Sequence, residues 1–399
     1  MKFRIGKIQV IIGLSFYFIT LANAKYLYNI GYNTKILYIG LFLLMLAVAY
    51  TWFRYEQYKR KTIVRTIIYN ILFNVGIILQ DLDVKIKIRL IISMTIIAVL
   101  AGMGRMLFRD IKDVFIVSKS VIYAGVSVFM LSILTGTSMG TYVNDVGRIL
   151  ETGFDMGFYH KNYFAAAIIV SFVGIYLKYK YGKKNNKLIY MMGIEVLLLV
   201  ISGSLGGLMI FVSFIFVDNL SITRKILKKY RKAVLIMIVL LSGAAGLSAY
   251  IYLIKYSATY AYRMRGLTNY LDKYYSNVNN MLFGIAGIAY SGMDYGTTIR
   301  SIVGWDGTVE LTLLNILIKN GIMGLVGYIL IYFHYIKSVI KGKESFVFLR
   351  MAVIVMTLVS TLTENYMVIT NLVFGLFFYC FMSSISLWIK TDARELVNG

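Results

Sequence analysis

The sequence predicts an all-α integral membrane protein of about twelve transmembrane helices, with a large external loop between the ninth and tenth spans. Three observations predict it. The 399 residues are 59% hydrophobic with a mean hydropathy of +0.73, too apolar for an ordinary soluble domain. Long runs carry no charge at all, as in 36–53, 233–254 and 365–389, and about 20 such residues in a helix cross roughly 30 Å of hydrocarbon. Finally, basic residues gather on alternate connections between these runs.

In chain order the expected spans lie near 8–24, 35–53, 63–80, 88–108, 114–136, 162–178, 187–202, 205–219, 233–254, 310–336, 345–363 and 366–389, forming one polytopic domain over 1–399. The third is interrupted by Arg65, Asn70 and Asn74, and the short seventh and eighth share "SGSLGG". No clear cleavage site follows the basic start "MKFRIGK". With the N-terminus in the cytoplasm, the cytoplasmic connections collect "KFRIGK", "RYEQYKRK", "RMLFRDIK", "KYKYGKKNNK", "TRKILKKYRK" and "KSVIKGK". This is the positive-inside pattern, and it places both termini in the cytoplasm. Only "DVKIKIR" at 83–89 is external yet basic. The net charge of +24 therefore orients the chain against anionic lipid and gives no reason to expect nucleic acid.

The lone Cys380 lies within the last run, so neither a disulfide framework nor a cysteine metal site is expected. There is no P-loop, Gly-rich nucleotide fingerprint or metal-ligand cluster, so no cofactor or metal is expected. The chain has no proline, where average usage predicts roughly 20; helix breaks must come from glycine or polar residues.

Two external loops stand out, at 137–161 and 255–309. The longer carries eight tyrosines and Trp305, an aromatic content foreign to disordered segments. Its section "MLFGIAGIAYSGM" at 281–293 is apolar and Gly-rich and is expected to dip back toward the membrane.

Candidate site residues lie in and around these loops. His160, Lys161 and Asn162, in "GFYHKNYFAAA", sit at the outer mouth of the sixth span. They read either as headgroup anchors or as a polar pocket for an anionic substrate, with Arg148 in the same loop. Arg263 and Arg265, beside Tyr262 in "YAYRMRGLTNY", read as solvated loop charges or as planar forks suited to phosphate. Glu310 opens the tenth span, where a carboxylate is favoured by the helix dipole and could also serve as a general base. Gly321, Gly324 and Gly327 form a small-residue stripe expected to permit close helix packing. Glu195 is the deepest charge, and intramembrane carboxylates are functional candidates by default. His334 reads as structural.

In their order along the chain, three of these stretches resemble the O-antigen and capsular polysaccharide polymerases of the Wzy type, which share a superfamily with the O-antigen ligases. "GFYHKN" before an apolar helix resembles the family's Gly-Phe-x-His-Pro-Asn segment. "ISGSLGGLMIF", containing Ser204, lies where the family has a Ser-Arg-Gly-like turn. "ELTLLNILIKNGIMGLVGYI" resembles the helix that closes the large external loop. The likeness covers about 140–335. Lys161 stands where the family often has Pro, Leu205 where Arg is expected, and Glu310 where ligases carry His.

The resemblance implies a metal- and nucleotide-independent glycosyltransferase at the outer face of the bacterial cytoplasmic membrane. Its partners would be membrane lipid, an undecaprenyl-diphosphate-linked glycan donor and a lipid-linked acceptor repeat unit, together with flippase and chain-length regulator proteins. On that reading Arg263 and Arg265 stabilise the leaving diphosphate, supported by Arg148, Lys161 and Arg300. Glu310, or else His160, serves the acceptor hydroxyl. Asn162, Ser204, Tyr262 and Trp305 line the glycan site. Two rivals remain: a ligase of the same superfamily, and a lipid-linked oligosaccharide flippase, which predicts internal repeats and several deep charges.

Overall fold

The computed structural model describes residues 6–54, 60–145, 148–182, 185–220, 276–286, 311–341, 346–385 and 388. The described chain is predominantly helical. In order it forms α1 (Lys7–Leu21), α2 (Lys25–Asn29), α3 (Asn33–Arg54), α4 (Arg60–Leu79), α5 (Val84–Met103), α6 (Ile111–Thr135), strands β1 (Gly140–Asp145) and β2 (Arg148–Phe154), α7 (Lys161–Tyr181), α8 (Asn186–Ser202) and α9 (Leu205–Asn219). After the stretch at 221–275, which includes the expected span at 233–254, come α10 (Val278–Phe283), α11 (Thr312–Lys341), α12 (Val347–Thr363) and α13 (Val373–Ile385). Among the described residues, six helices are long and apolar enough to cross a membrane, and shorter apolar helices accompany them. This is a helical membrane protein.

Polar punctuation explains where the helices begin and end. Asp83 caps α5 by accepting from the Lys85 and Ile86 amides, Asp110 caps α6 and Ser204 caps α9, each satisfying amides that have no partner within the helix. Glycines in the left-handed conformation close α6 and α8, at Gly136 (φ 65°) and Gly203 (φ 65°).

The structure departs from the sequence expectation in three places. The external loop at 137–161 contains an antiparallel hairpin, in which Thr141 faces Gly153 and Tyr142 faces Thr152, a small addition within an all-α fold. The last span does not start at 366. Glu364 leaves α12 in an extended conformation (φ −144°, ψ 169°), residues 364–372 form turns, and α13 begins only at Val373. Its 13 residues reach about 20 Å, and all are buried. A helix apolar on every side and buried all round packs against protein; α13 lies against α5, α7 and α12 at the centre of the bundle.

The third departure is in α11. Gly321 does more than permit close packing: it breaks the helix, at φ 65°, ψ −165°. The segment after α10 inserts there. Gly284 adopts a similar conformation (φ 85°, ψ 176°), and both lie in a region of backbone space open essentially to glycine alone. The exposed backbone is satisfied. Ile285 N donates to Ile318 O at 2.7 Å, and Gln80 Nε2 donates to Phe283 O (2.6 Å) and Lys319 O (3.0 Å). Asn320 Nδ2 reaches Phe73 O at 2.7 Å. Non-helical backbone at depth requires such internal partners. The part of 281–293 that is described, 281–286, thus packs into the bundle between α4 and α11.

Candidate functional site

The start of α7 is held by a buried carboxylate. Asp155, fully buried, accepts from Lys25 Nζ (2.7 Å), Thr141 Oγ1 (2.9 Å) and the Gly157 amide (2.9 Å). Thr141 Oγ1 in turn accepts from the Lys161 amide at 3.0 Å. Lys25 Nζ also donates to Ser138 O (3.1 Å) and Gly140 O (3.0 Å), tying the α1–α2 corner to the hairpin. A buried charge persists only when paired and hydrogen-bonded, and Asp155 is both. Gly157 (φ 86°) lets the chain turn tightly against Ser132.

His160 is the N-cap of α7. Its Nδ1 accepts from the Asn162 amide at 3.2 Å, so Nδ1 is unprotonated and Nε2 carries the proton. Lys161 is buried and donates to Thr152 O and Gly203 O, each at 3.3 Å. It is therefore not a snorkelling headgroup anchor: it braces the hairpin against the turn between α8 and α9.

Asn162 is the junction. Its Oδ1 accepts from Ser204 Oγ at 2.9 Å, its Nδ2 donates to Glu364 Oε2 at 3.1 Å, and its carbonyl accepts from Tyr366 OH at 2.9 Å. Glu364, also buried, accepts at its own carbonyl from the Thr312 amide (3.2 Å) and Thr312 Oγ1 (2.9 Å). Gly206, in the first turn of α9, leaves room for the Glu364 carboxylate; a Cβ there would strike Oε1. The N-termini of α7, α9 and α11 thus converge on the end of α12. The starts of α7 and α9 meet the Glu364 carboxylate through Asn162 and Gly206, while that of α11 meets its backbone carbonyl; each brings the positive end of a helix dipole and amides without helical partners, an environment suited to an anionic group.

A second tie fixes α9 beside α7 at their other ends. Tyr176 OH donates to Asp218 Oδ2 at 2.6 Å, and Lys180 Nζ pairs with the same oxygen at 2.5 Å. The two helices therefore run parallel and bring their N-termini to one side.

Of the residues singled out in the sequence, His160, Lys161, Asn162 and Ser204 come together here, and Arg148 opens β2 in register with Asp145. Glu310, Arg263, Arg265, Arg300, Trp305 and Tyr262 lie outside the described residues. Sequence reasoning missed Glu364, Thr312 and Tyr366. A signal existed for the first: Glu364 is the single acid within 345–389 and falls between two apolar runs on the expected external side. His334 is held by its neighbours, Nδ1 lying 2.9 Å from Tyr69 OH and 2.8 Å from Leu330 O. Glu195 is buried in α8. Among the described residues no cluster of His, Cys, Asp or Glu could hold a metal ion.

No protein-family model matches the chain, and neither does any curated protein.

Proposed function

We propose that this protein is a polysaccharide repeat-unit polymerase of the Wzy kind, working at the outer face of the bacterial cytoplasmic membrane. One observation carries the reading. The three stretches that resemble the polymerases lie far apart in sequence, yet Ser204, Asn162, Glu364 and Thr312 join them in one hydrogen-bonded chain. That chain lies at the mouth of a helical bundle whose helix N-termini favour anions.

In the proposed reaction, an acceptor sugar hydroxyl on a lipid-linked repeat unit attacks the anomeric carbon of the donor glycan. A C–O bond forms, the anomeric C–O bond to phosphate breaks, and undecaprenyl diphosphate leaves with the bonding pair. The hydroxyl proton passes to a carboxylate. Glu310 fits that last role by its place at the mouth of the tenth span, and Glu364 fits it by its contact with Asn162. Arg263 and Arg265 would meet the charge that develops on the diphosphate, where fixed donors are most effective. Asn162 and Ser204 would orient sugar hydroxyls.

Deleting the gene tests the reading. Lipid-linked glycan in the deletion strain should stop at single repeat units, and complementation should restore the ladder on a gel of surface polysaccharide. A normal ladder in the deletion strain would refute the proposal. At the site, Arg265→Ala should abolish polymer while leaving the membrane level of the protein unchanged.

A further inference from the structure

At the opposite end of α11 from Thr312, an open groove of about 820 Å³ runs between α4 and α11. Its α4 wall is Arg60, Lys61, Val64, Arg65, Ile68 and Tyr69. These positions repeat at i, i+4 and i+8 and form one helix face. Its α11 wall is Leu330, His334, Lys337 and Ser338, again one face. Four cations thus look into one groove, and no carboxylate lines it among the described residues. Among the described residues none of the four is in an ion pair.

The groove has two chemically distinct parts. Arg60 and Lys61 begin α4 and Lys337 lies four residues from the end of α11, at the depth where long cationic side chains reach the headgroup layer. Arg65 lies a turn deeper, still within reach of that layer. Between and below them lie apolar residues, and Val64 and Ile68 are 46% and 43% exposed. Ile67 and Phe333 continue this exposed apolar surface beside the groove, so it faces lipid. A soluble anion would gain nothing from that surface, whereas a phospholipid would cover it with its acyl chains. Guanidinium forks and an ammonium suit phosphate oxygens, and basic pockets between helices on the cytoplasmic side are where anionic headgroups bind.

We propose that the α4–α11 groove is a binding site for one anionic phospholipid, its phosphate held by Arg60, Lys61, Arg65 and Lys337 and its chains lying on Val64, Ile68 and Leu330. The occupant is a structural lipid of the opposite end of the bundle from Asn162, so the proposal is independent of the transferase reading.

Native mass spectrometry of the full chain in detergent tests it, with phosphatidylglycerol and phosphatidylcholine as probes. One phosphatidylglycerol should stay bound at collision energies that strip phosphatidylcholine. Arg65→Gln/Lys337→Gln should weaken it roughly tenfold or more, given the usual contribution of each basic residue near a membrane surface. The charge-keeping pair Arg65→Lys/Lys337→Arg should retain most of the binding, as should Lys187→Gln, which alters an exposed cation elsewhere. Equal retention of phosphatidylcholine, unchanged binding in the double Gln variant, or loss in the charge-keeping variant would each overturn the proposal. So would displacement of the lipid by millimolar inorganic phosphate, which would assign the groove to a free anion.

Discussion

Asn162 joins partners that are 42 and 202 residues away in sequence, and its importance rests on that reach. Asn162→Ala would cut the contacts to Ser204 and Glu364 together, and polymer synthesis should fall at least tenfold while the protein still accumulates in membranes. Gel analysis of surface glycan alongside an immunoblot checks both. Glu364→Gln keeps the shape and the acceptor but loses the charge that the N-termini of α7 and α9 face; if the carboxylate takes the acceptor proton, activity should be lost with normal protein levels. The Lys25–Asp155 pair makes a separate prediction, on stability. Lys25→Met leaves a buried carboxylate without its cation, at a cost of about 3–5 kcal/mol, and the lowered melting temperature should partly recover in Lys25→Met/Asp155→Asn. The contiguous trio at 160–162 was legible in sequence because its members adjoin one another. Glu364 was not, because what makes it part of the site is a contact across 202 residues that no local pattern encodes.

At the level of helices, most of the described helices were legible, since a charge-free run bounded by basic residues or caps is a local property. What escaped was how individual elements deviate. The stripe Gly321, Gly324, Gly327 has a spacing that fits close packing, and only the backbone angles reveal that the first glycine is a break. Gly327 does follow the packing logic, since a Cβ there would meet Leu72 of α4, whereas one at Gly324 would strike Asn320 of its own helix. Gly321→Ala should be costly on two counts: the added Cβ would strike Leu282 O, and its backbone region is nearly closed to other residues, worth about 1–3 kcal/mol. A drop in melting temperature in detergent, with Gly327→Ala much milder, checks this. The hairpin at 140–154 was missed because a span-first reading treats whatever lies between apolar runs as loop.

Across the whole molecule, the strongest sequence signal was the distribution of Lys and Arg. It predicts that reporter fusions at either end of the chain report a cytoplasmic location, and that one placed in 255–309 reports the outside. Alkaline phosphatase fusions, active only when exported, check all three positions. The Asn162–Glu364 junction and the cationic α4–α11 groove lie at opposite ends of α11, so the proposed substrate face and the proposed lipid site are separated by the thickness of the bundle.

The central place of α13 bears on how the protein is made. It is synthesised after every helix it touches, and at 13 residues it is short for a segment inserting into lipid by itself. The earlier helices must therefore wait in the membrane with an open middle and close only when this plug arrives. Helix docking, rather than stepwise insertion, should then be the commitment point of biogenesis. A substitution that enlarges its close contact, such as Gly375→Leu against the Tyr366 carbonyl, should leave the earlier spans inserted yet mark the protein for degradation, which a pulse-chase experiment would record.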